Sequence, residues 1–195
     1  MLRANVYALL GRLLARPPSA ETLALVRSLA GDDSEFGQAI AALAAVARGT
    51  TEQTASKEYH ELFYGVAQGE LQPYGSYYLT GFLYERPLAQ LRGELAELGV
   101  VRRDDIGEPE DHIAALCETM AGLINGTFGG AAGNLARQRR FFERHVGSWA
   151  PRFFADLERA KAARLYMPVG TMGRLFMDIE RVAFSIDEAL EDSAA

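Results

Sequence analysis

Where the prolines fall constrains this chain more than any other feature. All seven stand at positions 17, 18, 73, 87, 109, 151 and 168, and the stretches between them are rich in Ala, Leu, Glu and Arg. Proline removes a backbone donor and clashes with the preceding turn of a helix, while those four residues favour helix. The long proline-free stretches therefore read as helices. Period-two alternation of β-branched residues, the mark of a half-buried strand, is sustained nowhere over more than a few positions. The expected fold is all-α, a single-domain helical bundle of about nine helices over residues 1–195, at 3–15, 20–30, 34–48, 51–64, 87–98, 109–125, 132–146, 151–164 and 171–190. Gly31, Gly49, Gly65, Gly99 and Gly147 fall where helices should stop, which fits left-handed termination.

Two helices carry clear apolar stripes. Met172, Leu175, Phe176, Ile179, Val182, Ala183 and Ile186 repeat at three and four, and this stripe is expected to face the core. Asp187, Glu188, Glu191 and Asp192 follow as an acidic end expected to fray into solvent. Ile113, Leu116, Cys117, Met120, Leu123 and Ile124 form the second stripe, which makes Cys117 a small core residue rather than a nucleophile. At the N-terminus, Arg3 followed by Val6 to Leu14 loosely imitates a secretory signal, but Arg12 would interrupt its apolar centre. Val6, Leu9, Leu10 and Leu13 recur instead at helical spacing, so an amphipathic first helix is expected. No run approaches the ~20 apolar residues that span a bilayer, so no integral membrane association is expected.

Composition narrows the function classes. With 49% hydrophobic and 24% charged residues, the chain has the profile of a soluble globular domain. Twenty Lys and Arg against 26 Asp and Glu give a net charge of −6, which excludes a general attraction for nucleic acid or anionic lipid. The single cysteine, Cys117, cannot form an intramolecular disulfide, and the cytoplasm is the expected compartment. Residues 94–111 hold seven acids and two arginines, a balance of −5, so the surplus acidity is local.

Two segments do not behave as packing filler. Glu70 to Arg86 crowds five Phe and Tyr residues into eleven positions beside a proline and glycines that forbid one regular helix throughout. It is either a connection plugged into the core by its rings or an aromatic-walled groove in which hydroxyls orient a bound peptide. The second segment, Glu108-Pro109-Glu110-Asp111-His112, stands directly before the stripe that starts at Ile113. Proline and carboxylates suit the first turn of a helix, so capping explains Glu110 and Asp111 but leaves His112 over.

Catalytic readings find little support. Ser76, His112 and Asp111 lack a nucleophile elbow, and adjacent side chains diverge on a helix. His60, His112 and His145 have no metal-ligand spacing, and Gly126 to Gly133 follows no strand and lacks a Walker lysine. Arg137, Arg139, Arg140 and Arg144 read as a solvated helix face, with an anion or partner contact as the alternative.

Three motifs in register carry a resemblance: Glu58-Tyr59-x-x-Leu62-Phe63, then Pro73-Tyr74-Gly75-Ser76-Tyr77-Tyr78-Leu79, then Glu108-Pro109-Glu110-Asp111-His112. Together they resemble the TorD-like family of redox-enzyme maturation chaperones, which also includes the DmsD and NarJ types. The resemblance implies an all-helical, non-catalytic cytoplasmic chaperone without a cofactor. It would bind the N-terminal twin-arginine signal peptide and the body of a molybdoenzyme precursor, of the formate dehydrogenase or DMSO/TMAO reductase class, and delay export until the cofactor is inserted. It implies a binding surface at Pro73, Tyr74, Ser76, Tyr77 and Leu79 and at Glu108 to His112; Phe82 is added from the residues themselves. Where relatives often place Trp, this chain has Tyr74 and Tyr77.

Carboxylates and an aromatic groove complement two guanidinium forks followed by an apolar run. Asp111 and Glu110 are assigned to arginine recognition and His112 to orienting or pH-tuning that site, with a pH dependence expected between ~5.5 and 7.5. Two alternatives stay open: a partner for molybdenum-cofactor insertion that responds weakly to guanine nucleotide, and a non-catalytic scaffold subunit. A monomer and a domain-swapped dimer are both compatible with the resemblance.

Overall fold

The computed structural model describes residues 3–65, 69–100, 107–128 and 134–194, excluding the side chains of 187–194. The described residues form ten α-helices and no strand. They are α1 (Arg3–Ala15), α2 (Ala20–Arg27), α3 (Glu35–Arg48), α4 (Glu52–Phe63), α5 (Gly75–Thr80), α6 (Arg86–Glu97), α7 (Ile113–Asn125), α8 (Leu135–Phe141), α9 (Ala150–Arg159) and α10 (Tyr166–Ala194). A π-helical turn, Phe142–Val146, extends α8. The chain is thus all-α, as its proline spacing predicts.

Local sequence chemistry explains most starts. The side chains of Ser19, Ser34, Thr51 and Asn134 each accept a hydrogen bond from a backbone N–H of the first turn they precede, which satisfies donors that a helix leaves free. Prolines 87 and 151 sit at the starts of α6 and α9, where their missing N–H costs nothing. Buried apolar side chains from every helix except α5 join in one core. The tightest helix pairs are α1 on α7 and α9 on α10. At Gly170 a Cβ would stand 2.4 Å from the Glu158 backbone nitrogen, so glycine is what lets α10 approach α9.

Several expectations are corrected. Helix α5 is additional. Helix α7 starts at Ile113 rather than 109, which leaves Glu110 and Asp111 in the preceding turn. Helix α10 starts at Tyr166 rather than 171 and takes Pro168 into its first turn. The Glu58 carboxylate of α4 makes this start possible, accepting from the N–H groups of Arg164, Leu165 and Tyr166 at 2.7, 3.1 and 2.8 Å. Of the five glycines expected to be left-handed, only Gly65 and Gly99 have positive φ.

The α10 stripe splits. Met172 and Phe176 are buried, but Ile179, Val182 and Ile186 stand 48, 50 and 57% exposed. The inward face runs instead through Phe176, Met177, Glu180 and Phe184. Glu180 is fully buried and takes a bidentate contact from Arg3 at 2.6 and 2.7 Å, with the Tyr7 hydroxyl at 3.0 Å. A buried carboxylate in the middle of the core face hides that face from a hydropathy pattern.

Asp104, Asp105, Arg102, Arg103, the segment Gly129 to Gly133 and the side chains of the acidic C-terminal end lie outside the described residues. The basic stretch is partly engaged: Arg140 and Arg144 approach Glu94 at 3.2 and 3.8 Å, and His145 Nε2 lies 2.8 Å from the same carboxylate. Glu94 therefore belongs to an ion-pair cluster with α8 and the π turn rather than to an open acidic surface. Cys117 is fully buried and burial pushes its thiol up.

Candidate functional site

The second and third motifs meet. Residues 73–75 and 111–113 run antiparallel, with the Gly75 N–H donating to the Asp111 carbonyl at 3.0 Å and the Ile113 N–H donating to the Pro73 carbonyl at 2.8 Å. Tyr74 and His112 face each other across this single bridge, their rings 5.1 Å apart and edge to face. Pro73 contributes an extended backbone and a buried ring at the point where the two segments join.

This junction is what starts α5. Tyr74 is its N-cap and offers no side-chain acceptor. Asp111 supplies one from the other segment, its Oδ2 accepting from the Ser76 N–H at 2.7 Å. Asp111 thus caps a helix distant in sequence, while α7 is capped by His112, whose Nδ1 accepts from the Ala114 N–H at 3.1 Å. Gly75 lets the segment pass close to Trp149: a Cβ there would meet the indole nitrogen at 3.0 Å, and the ring would have to give by a few tenths of an ångström. Ser76 Oγ and Asp111 Oδ1 are both buried without a hydrogen-bond partner among the described residues.

The ten residues singled out in the sequence divide by exposure. Pro73, Ser76, Asp111 and His112 are buried and build the junction. Tyr77, Leu79 and Phe82 face solvent at 36, 44 and 69%, and Tyr84 joins them at 66%. Tyr74 and Glu108 lie between, the Tyr74 hydroxyl donating to Glu108 and the exposed Tyr64 hydroxyl reaching the other carboxylate oxygen at 3.4 Å. Burial and the Glu108 charge push the Tyr74 phenol up. Glu110 receives Arg92 of α6 in a forked contact at 2.9–3.1 Å.

Two assignments change accordingly. Asp111, at 3% exposure, is a positioning residue rather than a surface for arginine. His112 does not titrate between pH 5.5 and 7.5, because burial pushes its imidazole down to about 4 from 6.5, against the weaker pull of Glu108 and Asp111.

The sign of the linkage follows from that shift. The unfolded chain takes up a proton at this histidine below about 6.5 and the folded chain only near 4, so stability is fully present above 6.5 and falls as pH drops toward 4. The expected loss at this one group is roughly 3 kcal/mol. Urea denaturation at pH 7, 6, 5 and 4 should show the decline, and His112→Asn, which keeps an N-cap acceptor, should flatten it. Equal slopes in the two proteins would remove His112 as the cause.

The sequence did not point to α9, which forms the other wall. Glu70, Leu71, Gln72, Tyr77, Tyr78, Arg152 and Asp156 line a pocket of about 260 Å³ between α5 and α9. The Tyr78 hydroxyl donates to Asp156 at 3.0 Å and Arg152 lies over the Tyr78 ring at 5.1 Å. Arg152 and Asp156 share a helix face at a spacing of four, but nothing local marks that face as opposing α5. The described residues hold no cluster of His, Cys, Asp and Glu able to bind a metal ion. Among them no helix is long and apolar enough to cross a membrane.

Comparison with known proteins finds relatives that cover most of the chain. Residues 29–155 match the family described as nitrate reductase delta subunit. The chain is similar to the chaperone protein TorD of Vibrio cholerae, 27% identical over 190 residues that cover 92% of this chain and 86% of the relative. It is also similar to the Tat proofreading chaperone DmsD of Salmonella typhi, 26% identical over 186 residues, 89% of this chain and 88% of the relative. Among solved structures, a redox enzyme maturation protein from Archaeoglobus fulgidus matches with a TM-score of 0.59 and 19% identity, over 91% of this chain and 94% of the other. That last likeness is one of fold.

Proposed function

The chain belongs to the nitrate reductase delta subunit family, and we propose that it is a chaperone that binds the N-terminal twin-arginine leader of a molybdenum-cofactor oxidoreductase precursor. It would hold that precursor in the cytoplasm until the cofactor is inserted. The relatives TorD and DmsD carry the names of chaperones, a non-catalytic role.

One observation carries the reading. Four large apolar side chains, Tyr77, Leu79, Phe82 and Tyr84, stand exposed within eight residues, on a helix and turn fixed from behind by Asp111. Such a cluster on a surface suits the apolar run of a leader. The cationic head would meet the carboxylates that remain near solvent, Glu108 beside Tyr74 and Glu110 in exchange with Arg92. Charge-assisted hydrogen bonds contribute ~1.5–3 kcal/mol each, whereas micromolar affinity needs ~8 kcal/mol net of ordering costs. Apolar burial must supply the larger share.

Isothermal titration with a synthetic twin-arginine leader provides the test. The double variant Tyr77→Ala with Phe82→Ala is expected to bind about 100-fold more weakly, since exposed aromatic anchors dominate such contacts. Its melting temperature should stay close to the parent's, because neither ring is part of the core. Affinity within threefold of the parent would reject this surface.

A further inference from the structure

The exposed half of the α10 stripe, with its neighbour on α3, forms a second apolar surface. Phe36, Leu175, Ile179, Val182, Ala183 and Ile186 line a groove of about 720 Å³, rimmed by Glu35, Arg174 and Asp178. It shares no residue with the surface around α5; Phe36 and Leu175 pack against the core, while Ile179, Val182 and Ile186 stand exposed.

We propose that a second copy of this chain covers this groove, its α10 antiparallel to the first. The spacing is the argument. Leu175, Ile179, Val182 and Ile186 follow one another at four, three and four residues, which is the a/d pattern of a helix that pairs along a seam. The set is also symmetric about its centre: reversing the direction of the second helix lays Ile179 on Val182 and Leu175 on Ile186, and each contact occurs twice. A two-fold interface demands such self-complementarity.

The lack of charge along the seam favours a second copy over a charged partner segment. The chain carries a net charge of −6, so two copies repel one another generally, yet no charged residue occupies the seam. Arg181 and Asp178 pair with each other at 3.3 Å on the same helix, and in this register Asp178 flanks the Ser185 hydroxyl of the other copy. Ala183, small and exposed, lets the helices come close. The seam runs over the 12 residues from Leu175 to Ile186, or ~18 Å of helix. That length places the contact at the small end of specific interfaces, with a dissociation constant on the order of 10 μM.

Sedimentation velocity of the full chain from 1 to 200 μM tests this. The parent is expected to pass reversibly from monomer to dimer across that range. Val182→Glu, which sets a carboxylate against Ile179 of the other copy, should remain monomeric with its melting temperature unchanged within about 2 °C. Adding Ile179→Lys to Val182→Glu should restore dimerisation, because the antiparallel register then pairs each lysine with a glutamate of the other copy. A parent that stays monomeric, a dimer that survives Val182→Glu, or a double variant that stays monomeric would each overturn the proposal. So would a dimer that does not dissociate on dilution, the behaviour of exchanged domains. Weaker leader binding by Val182→Glu without any dimer would assign the groove to the precursor instead.

Discussion

Glu58→Ala is expected to lower the melting temperature by about 10 °C, read by circular dichroism at 222 nm. Three backbone N–H groups at the start of α10 end on this one carboxylate, which is 8% exposed. Removing it leaves the buried N–H groups of Leu165 and Tyr166 unpaired, while water can still reach that of Arg164, at a cost of about 3–5 kcal/mol. For a chain of this size each kcal/mol shifts the transition by ~2–4 °C. The loss should also spread, because Tyr166 sits at the same junction and donates its hydroxyl to the Leu13 carbonyl at 2.8 Å, beside the Tyr59 hydroxyl on Leu14 at 3.0 Å. The end of α1, the body of α4 and the start of α10 are thus tied at one point. Glu58→Gln, which keeps one acceptor oxygen, should fall between the two. A shift smaller than 3 °C for Glu58→Ala would show that the α10 start does not depend on this cap.

Arg3→Ala should cost about 3 kcal/mol in urea denaturation, since the pair is buried only on its Glu180 side: losing Arg3 strands that carboxylate, while solvent already screens the 35% exposed guanidinium. Glu180 has no exposure of its own and would keep only the Tyr7 hydroxyl. Arg3 also donates to Gln138 at 3.0 Å and lies over the Phe184 ring at 5.2 Å, so α1, α8 and α10 all lose a contact. Replacing both partners, Arg3→Met with Glu180→Leu, removes the charge and should recover part of the loss, leaving the Tyr7 hydroxyl and Gln138 to find other partners. Arg3→Ala within 1 kcal/mol of the parent would show that solvent already reaches the carboxylate. A double variant less stable than Arg3→Ala would mean that hydrogen bonding, not charge, holds this contact.

The motifs that carried the family resemblance prove unequal in what they do. Glu58-Tyr59 locks helices together, Asp111-His112 caps two helices at once, and the segment from Tyr74 onward presents apolar side chains outward, with Glu108 and Glu110 half-buried beside it. Sequence reasoning offered Asp111 as a cap of the helix that follows it and assigned it to arginine recognition, whereas it caps α5. A cap normally sits next to the helix it serves, and here the acceptor arrives from 35 positions away.

Helix periodicity, proline spacing and capping residues are local properties, and they determined the all-helical fold, most helix boundaries and the two segments that meet at the candidate site. Contacts between distant positions are not local, and only the tertiary structure decided them. A carboxylate carries no local sign of burial until its partner is known, and Glu58, Glu180 and Asp111 are all buried in the fold. The same physics misplaced the α10 stripe: pairing with Arg3 let a charged residue enter the core and left Ile179, Val182 and Ile186 outside it.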